Sequence, residues 1–349
     1  MKRRNLLKIL RRSATNAYYN GPVSDHFDGS HFFNPGGNSP RGFRDLLRWQ
    51  FTEPSARWPK RFDSPHSAKP AAKLDGPELR LTYIGHASFL LQTAGLNILL
   101  DPVWSQRASP VPFAGPKRVN PPGVAFDDLP RIDAVLLSHN HYDHMDLATI
   151  GRLWRRDRPA IVTPLGNDTI IRRHDAAIAV QTLDWHQAAE FPGGVIVHAE
   201  PTQHWSARGT SDRMHALWAS FVIETPSAKA YFVGDSGLGD GGTFKQVARR
   251  HPGIALALLP IGAYEPRWFM QHQHMNPDDA VQALELCGAK QAIAHHWGTF
   301  KLTNEGIEQP LADLAAALAA RGVAPDRFQT LRPGQARDFS AQALMDPAK

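Results

Sequence analysis

Three imidazoles and one carboxylate are crowded into Ser138-His139-Asn140-His141-Tyr142-Asp143-His144, directly after the apolar run Ile132-Asp133-Ala134-Val135-Leu136-Leu137. A strand cannot aim such neighbours at one point, because successive side chains leave on opposite faces. The four groups therefore belong in a loop at a strand's end, where the backbone can turn them together. Imidazole and carboxylate suit Zn²⁺, with other divalent transition metals as alternatives, and this density of donors is enough for two ions. The competing reading, a His-rich surface turn, gives no structural use to this spacing on the end of a buried strand.

Further candidate donors follow later strand patterns. Pro201-Thr202-Gln203-His204-Trp205 comes after Val195-Ile196-Val197-His198-Ala199, Gly234-Asp235-Ser236-Gly237 after Tyr231-Phe232-Val233, and His295-His296-Trp297-Gly298 after Gln291-Ala292-Ile293-Ala294. The first segment resembles the HxHxDH motif of the metallo-β-lactamase fold, and the later segments stand in that family's order. The resemblance implies a mixed α/β chain folded as an αββα sandwich of two similar halves. It also implies one zinc held by His139, His141 and His204, a second by Asp143, His144 and His296, and Asp235 bridging the two. Of the adjacent pair, His296 is the one that precedes Trp-Gly-Thr as in the family, which leaves His295 as its strand neighbour facing the other way.

At 349 residues, with 42% hydrophobic and 21% charged, the composition is that of a globular protein with a sizeable core. No run of eighteen uncharged apolar residues is present to span a membrane. The single cysteine, Cys287, rules out an intramolecular disulfide framework; it makes a reducing, cytoplasmic compartment the easier expectation and reads as a buried filler in a helix. Net charge is +6, and Lys2, Arg3, Arg4, Lys8, Arg11 and Arg12 are interleaved with Leu6, Leu7, Ile9 and Leu10. That basic amphipathic stretch reads either as a solvated tail or as an arm lying peripherally on the inner membrane. The positive charge is concentrated there and no nucleic-acid-binding motif accompanies it, so nucleic acid is not an expected partner.

Residues 1–75 form a basic, then Pro- and Gly-rich extension with one helical stretch near 41–51. The hydrolase domain is expected over 76–349. Strands are expected at 79–84, 88–92 and 96–100, the last two joined by an Ala94-Gly95 hairpin turn. Helices are expected near 147–157, 168–174, 244–251, 276–286 and 304–321, alternating with further strands.

Two zinc ions carry four positive charges, of which Asp143 and Asp235 neutralise two, so the site attracts anions and makes hydroxide available near neutral pH. Asp101, in Leu99-Leu100-Asp101-Pro102, matches the family's carboxylate beneath the ligand loop; the alternative is a turn aspartate before proline. Trp205 and Trp297 each follow a ligand and are expected to pack around it.

Longer strings narrow the resemblance: Tyr83-Ile84-Gly85-His86-Ala87, Gly115-Pro116-Lys117-Arg118, the stretch from Asp101 to Pro110, Gly262-Ala263-Tyr264-Glu265-Pro266-Arg267-Trp268-Phe269-Met270 and His296-Trp297-Gly298-Thr299-Phe300. They resemble the N-acylphosphatidylethanolamine-hydrolysing phospholipase D branch of the fold, over about residues 79–305. The resemblance implies a phospholipid substrate cleaved to phosphatidic acid and an N-acylethanolamine. Within it Tyr142 matches a substrate-contacting position, and His274 matches a histidine near the scissile group that either hydrogen-bonds a phosphoryl oxygen or protonates the leaving alkoxide. A surface histidine ahead of the Asn276-Pro277 helix start is the plainer reading of His274. Phe113, Trp268, Phe269 and Met270 are candidates for an apolar wall, whereas Arg267 and Lys117 are expected to pair with Glu265 or lie at the surface, with phosphate contact as the alternative. The segments 111–114 and 206–209 depart from the branch's animal members. Other hydrolases of the fold (lactonase, β-lactamase, nuclease) are the alternative, as is a non-catalytic zinc-binding regulatory protein at a membrane; a homodimer is compatible with either.

Overall fold

The computed structural model describes residues 16–37 and 41–339. The basic arm over 2–12 lies outside the described residues. Fourteen strands and seven α-helices are present among them. The strands are β1 Leu79–Gly85, β2 Ser88–Thr93, β3 Leu96–Leu100, β4 Ala134–Leu136, β5 Ala160–Pro164, β6 Gln181–Leu183, β7 Ala188–Phe191, β8 Val195–Glu200, β9 Ser220–Glu224, β10 Lys229–Phe232, β11 Ile254–Pro260, β12 Gln291–His295, β13 Phe328–Thr330 and β14 Ala336–Phe339. The helices are α1 Phe43–Thr52, α2 Leu147–Asp157, α3 Asn167–His174, α4 Gly242–Arg250, α5 Arg267–Met270, α6 Pro277–Cys287 and α7 Gln309–Arg321.

The strands form two seven-stranded sheets, ordered β14-β1-β2-β3-β4-β5-β6 and β13-β12-β11-β10-β9-β8-β7. Leu81, Tyr83, Phe89 and Leu100 of the first meet Val197, Phe221, Phe232 and Leu258 of the second in one buried layer. Side chains on the opposite faces pack against helices. Ile150 and Leu153 of α2 and Ile171 of α3 cover the first sheet, while Phe244, Val281 and Leu314 of α4, α6 and α7 cover the second. The result is the expected αββα sandwich. Both-face burial is why β1, β2, β3 and β11 read as near-continuous apolar runs.

Ala94 and Gly95 lie at φ 48° and 75°, the left-handed pair that a tight hairpin needs, and Thr93 pairs with Leu96 across them. α7 begins at Gln309, later than the expected 304. Pro310 is accommodated in its first turn, where the missing N–H costs nothing, and residues 303–305 are instead held in a loop by the Glu305 carboxylate, which accepts from Thr303 and from the Ala263 N–H. Phe27 and Phe32 from the segment ahead of β1 are buried within the inter-sheet core. Cys287 is buried at the end of α6, and burial pushes its thiol up to about 12. No described helix is long and apolar enough to cross a membrane.

Candidate active site

The donor loop is held at both ends. It leaves β4 through Ser138, whose N–H donates to Asp101 Oδ1 at 2.7 Å, and it enters α2 through Asp146, which caps the helix by accepting from the Thr149 N–H. Between these points His139, His141 and His144 turn inward. Asp101, fully buried, leaves β3 in the left-handed region at φ 38° and places Oδ2 2.6 Å from His144 Nδ1. One carboxylate thus contacts both the loop backbone and a ring that faces the site with its other nitrogen, the arrangement of a group that orients a ligand.

The second sheet brings its donors from three separate strand ends. His204 follows β8, and its Nδ1 lies 2.9 Å from the Gln273 carbonyl, which turns Nε2 toward the site. Asp235 follows β10 after Gly234, at φ 63°, where a Cβ would sit 2.7 Å from Ser138 Cβ; only glycine lets the two sheets approach so closely here. His296 follows β12 at φ 65°, and this turn breaks strand alternation. His295, still in alternation with Ile293, points between the sheets, with ring centroids 5.9 Å from Phe89 and 5.6 Å from Phe232, while the turn brings His296 to the donors.

Two groups result. The ligand atoms of His139, His141 and His204 lie within 4.8 Å of one another, as do those of His86, Asp143, His144 and His296. Asp235 Oδ2 stands between the groups, 3.1 Å from His296 Nε2, 3.3 Å from His144 Nε2 and 3.7 Å from His204 Nε2. His139 Nε2 and His141 Nδ1 approach to 2.9 Å, and His204 Nε2 lies 3.2 Å from the same His141 atom. Donors about 2.1 Å from a tetrahedral centre are separated by about 3.4 Å, and the 3.1, 3.3 and 3.7 Å spacings around Asp235 bracket that value, while the 2.9 Å between His139 and His141 is also a hydrogen-bond length. Buried His141 Nε2, His144 Nε2 and Asp235 Oδ1 have no hydrogen-bond partner among the described residues. Buried nitrogen and oxygen atoms left unpartnered within such a donor set fit a divalent transition metal centre.

Electrostatics sort the same residues. Burial, aided by neighbouring imidazoles, pushes His141 down to about 3 and His139 well below the usual histidine range, while burial takes His204 down to about 4 against the pull of Asp235. Such lowering favours the neutral ring, the state in which imidazole binds metal. Burial opposes charge on His144 and His296 too, but the nearby carboxylates outweigh it, holding His144 well above the usual range and His296 at about 9. Burial likewise opposes ionisation of Asp143 and Asp235, yet the facing imidazoles keep both well below the usual carboxylate range.

His86 was recognisable in sequence only as part of a resembling string, with no role attached. Its Nε2 lies 2.8 Å from Asp143 Oδ2, its carbonyl accepts from the His296 N–H at 2.7 Å, and its φ is 57°. A histidine directly after the glycine that ends β1 is the signal that pointed to it.

The donors open onto a cavity of about 600 Å³. Its wall includes Leu46 and Trp49 of α1 and Phe269 and Met270 of α5, together with Tyr142, Trp205 and His274. Tyr142 donates to the Arg208 carbonyl at 3.0 Å and lies under that residue's guanidinium at 3.6 Å. His274 is not at the surface: its backbone N–H is tied to Met270, its carbonyl accepts from Arg267, and its ring centroid lies 5.2 Å from that of His204. Burial holds His274 well below the usual range although Asp235 pulls the other way. Arg267 pairs with Asp279 at 2.6 Å, not with the Glu265 carboxylate, to which only its backbone N–H donates. Two of the expected wall residues are elsewhere. Phe113 is 79% exposed on a loop, and Trp268 turns its indole N–H to Glu53. Trp297 is packed in the core as expected, but Trp205 lines the cavity, edge-on to His141 at 4.6 Å.

A beta-lactamase superfamily domain matches residues 96–297, and the chain belongs to that superfamily as a metal-dependent hydrolase of the metallo-β-lactamase fold. Among named relatives it is similar to N-acyl-phosphatidylethanolamine-hydrolyzing phospholipase D 1 of Caenorhabditis elegans, 38% identical over 250 residues that cover 69% of this chain and 70% of the relative. It is 30% identical over 261 residues to the mitochondrial N-acyl-phosphatidylethanolamine-hydrolyzing phospholipase D of Saccharomyces cerevisiae, covering 74% of this chain and 55% of the yeast protein, so that match spans little more than half the relative. The solved structure of Igni18, a metallo hydrolase from Ignicoccus hospitalis, superimposes with a TM-score of 0.55 over 75% of this chain and 99% of its own at 19% identity, a likeness of fold alone.

Proposed function

We propose that the chain hydrolyses a phosphodiester in an N-acylated phospholipid, N-acylphosphatidylethanolamine or a near relative, releasing phosphatidic acid and an N-acylethanolamine. The observation that carries this reading is the cavity, in which metal donors meet a wall of Leu46, Trp49, Phe269 and Met270. A phosphoryl group beside acyl chains asks for that combination of polar floor and apolar wall. The named relatives support the substrate class, and the departures at 206–209 fall where the cavity wall is formed.

His139, His141 and His204 would hold one zinc ion, and Asp143, His144 and His296 a second, with Asp235 between them. Bound there, such a pair supplies Lewis acidity toward phosphoryl oxygens and lowers the pKa of water. The chain's own groups do the rest. Asp101 and Ser138 fix the donor loop, and His86 steadies the Asp143 carboxylate. Neutral His274 donates a hydrogen bond to a phosphoryl oxygen; its depressed basicity favours that role over proton delivery. Water's oxygen becomes bonded to phosphorus, the bond from phosphorus to the ethanolamine oxygen breaks, and a water proton ends on the released alcohol.

Hydrolysis of N-acylphosphatidylethanolamine in ¹⁸O-labelled water tests this. Label is expected in phosphatidic acid and none in the ethanolamide. Label in free fatty acid, or a β-lactam or short lactone cleaved faster than every phosphodiester, would defeat the assignment.

A further inference from the structure

Beyond the metal donors, two arginines on the cavity wall have no carboxylate partner among the described residues. Arg41 and Arg213 both line the cavity, and in both the buried Nε has no hydrogen-bond partner among those residues. Arg213 is anchored rather than loose. Its guanidinium donates to the Arg41 backbone carbonyl at 3.0 Å and stacks over the Trp205 ring at 4.5 Å, which places it against the segment that carries Arg41. The other arginines near the site are spoken for: Arg267 pairs with Asp279, and Arg208 donates to the carbonyls of Asn140 and Met145. The carboxylates lining the cavity, Asp143 and Asp235, already face imidazoles. Burial lowers Arg213 from the ordinary arginine value, with no carboxylate acting against it.

A partly buried cation lacking a counter-charge is costly to maintain, and the cost is recovered when an anion arrives. Guanidinium groups suit this, since their planar N–H donors match phosphoryl or carboxylate oxygens. The position is specific as well. Trp205 contacts both Arg213 and His141, so an anion at Arg213 and a phosphoryl group at the metal donors lie within reach of one ligand.

We propose that Arg41 and Arg213 form a second anion subsite of the cavity, selecting phospholipids that carry a further phosphoryl or carboxylate group a short linker away from the scissile phosphodiester. This rests on reading the metal donors as a phosphoryl site, and it adds to the single-anion N-acylphosphatidylethanolamine a preference for relatives that carry a second anionic group.

The test uses non-hydrolysable ligands and the metal-loaded protein, so it does not depend on turnover. An alkyl monophosphonate is compared by calorimetry with the same chain bearing a second phosphonate, or a carboxylate, across a three-carbon linker. The wild type is expected to bind at least one of the two-charge ligands about tenfold or more tightly than the monophosphonate. Arg213→Gln and Arg41→Gln should bring that ratio close to one with the monophosphonate affinity unchanged, which also reports that the variants are folded. Arg213→Lys should retain part of the ratio. A wild-type ratio near one for both linkers, or a ratio that survives both glutamine substitutions, overturns the proposal. Failure of phosphodiester hydrolysis with the ratio intact would instead overturn the reaction and leave the subsite standing.

Discussion

The two sheets repeat one pairing pattern, yet they build the site in opposite ways. From β14 to β3 and from β7 to β10 the neighbours are antiparallel; from β3 to β6 and from β10 to β13 they are parallel. The first sheet offers His139, His141, Asp143 and His144 from a single loop after β4. The second offers His204, Asp235 and His296 from the ends of β8, β10 and β12. One loop can be ordered by hydrogen bonds to Asp101 and Asp146, whereas the dispersed donors are placed by strand register, by turns at Gly234 and His296 and, for His204, by the distant Gln273 carbonyl. The first half therefore carries the density of donors, and the second half decides where they converge.

The largest break in that comparison is expected at Asp235, the second sheet's donor that stands between the groups. Asp235→Ala should lower metal content in both groups and reduce hydrolysis by roughly 10³-fold or more. Metal analysis by mass spectrometry alongside turnover checks this, and full occupancy in the variant would show that the groups fill independently.

His274→Ala separates chemistry from metal holding. Metal content should stay at the wild-type level while kcat falls by about 10²-fold, the scale for one lost donor to a developing oxyanion. An unchanged rate would return His274 to a packing role.

Asp101→Asn sharpens the contrast from the first sheet's side. The loop keeps its ligands but loses the carboxylate that orients His144, and metal affinity should weaken by about 10- to 100-fold. Competition with a fluorescent chelator measures it. A loss as severe as that in Asp235→Ala would mean that the compact loop is no more self-supporting than the dispersed strand ends.

The smallest effect concerns the crossover between the sheets, where His26 lies 2.8 Å from Asp184 and stacks on Trp185. Burial opposes charge on His26, but Asp184 and Asp25 outweigh it and raise its pKa. A raised folded-state value makes its contribution complete below the unfolded pKa of about 6.5 and removes it as pH rises through the folded value. The Tm gap between wild type and His26→Gln should therefore be widest in mildly acidic buffer and narrow as pH increases. A gap that widens with pH would contradict the assignment.

Sequence by itself determined the compact donor loop, because Ser138 to His144 are neighbours and only a strand-end loop can gather them. It also determined the hairpin at Ala94-Gly95 and the span of α2, since turn chemistry and helical periodicity are local properties. The later donors were legible through their order after strands, and their partnership came from resemblance rather than from spacing. What only the tertiary structure decided depends on distant segments meeting. His86, at the end of β1, reaches Asp143 because β1 and β12 end side by side, where the His86 carbonyl accepts from His296. His274 lies over the cavity rather than at the surface, the competing reading for a residue before a helix, because Arg267 and Met270 hold its backbone there. Phe113 and Trp268 are equally aromatic in sequence, yet one is exposed and the other turned to Glu53, because a wall residue is selected by direction as well as by apolar character. Arg41 and Arg213 are 172 positions apart, and nothing in either neighbourhood marks them as a pair. Their meeting is set by how the segment before β1 folds back across the finished sandwich, a long-range contact that no local pattern encodes.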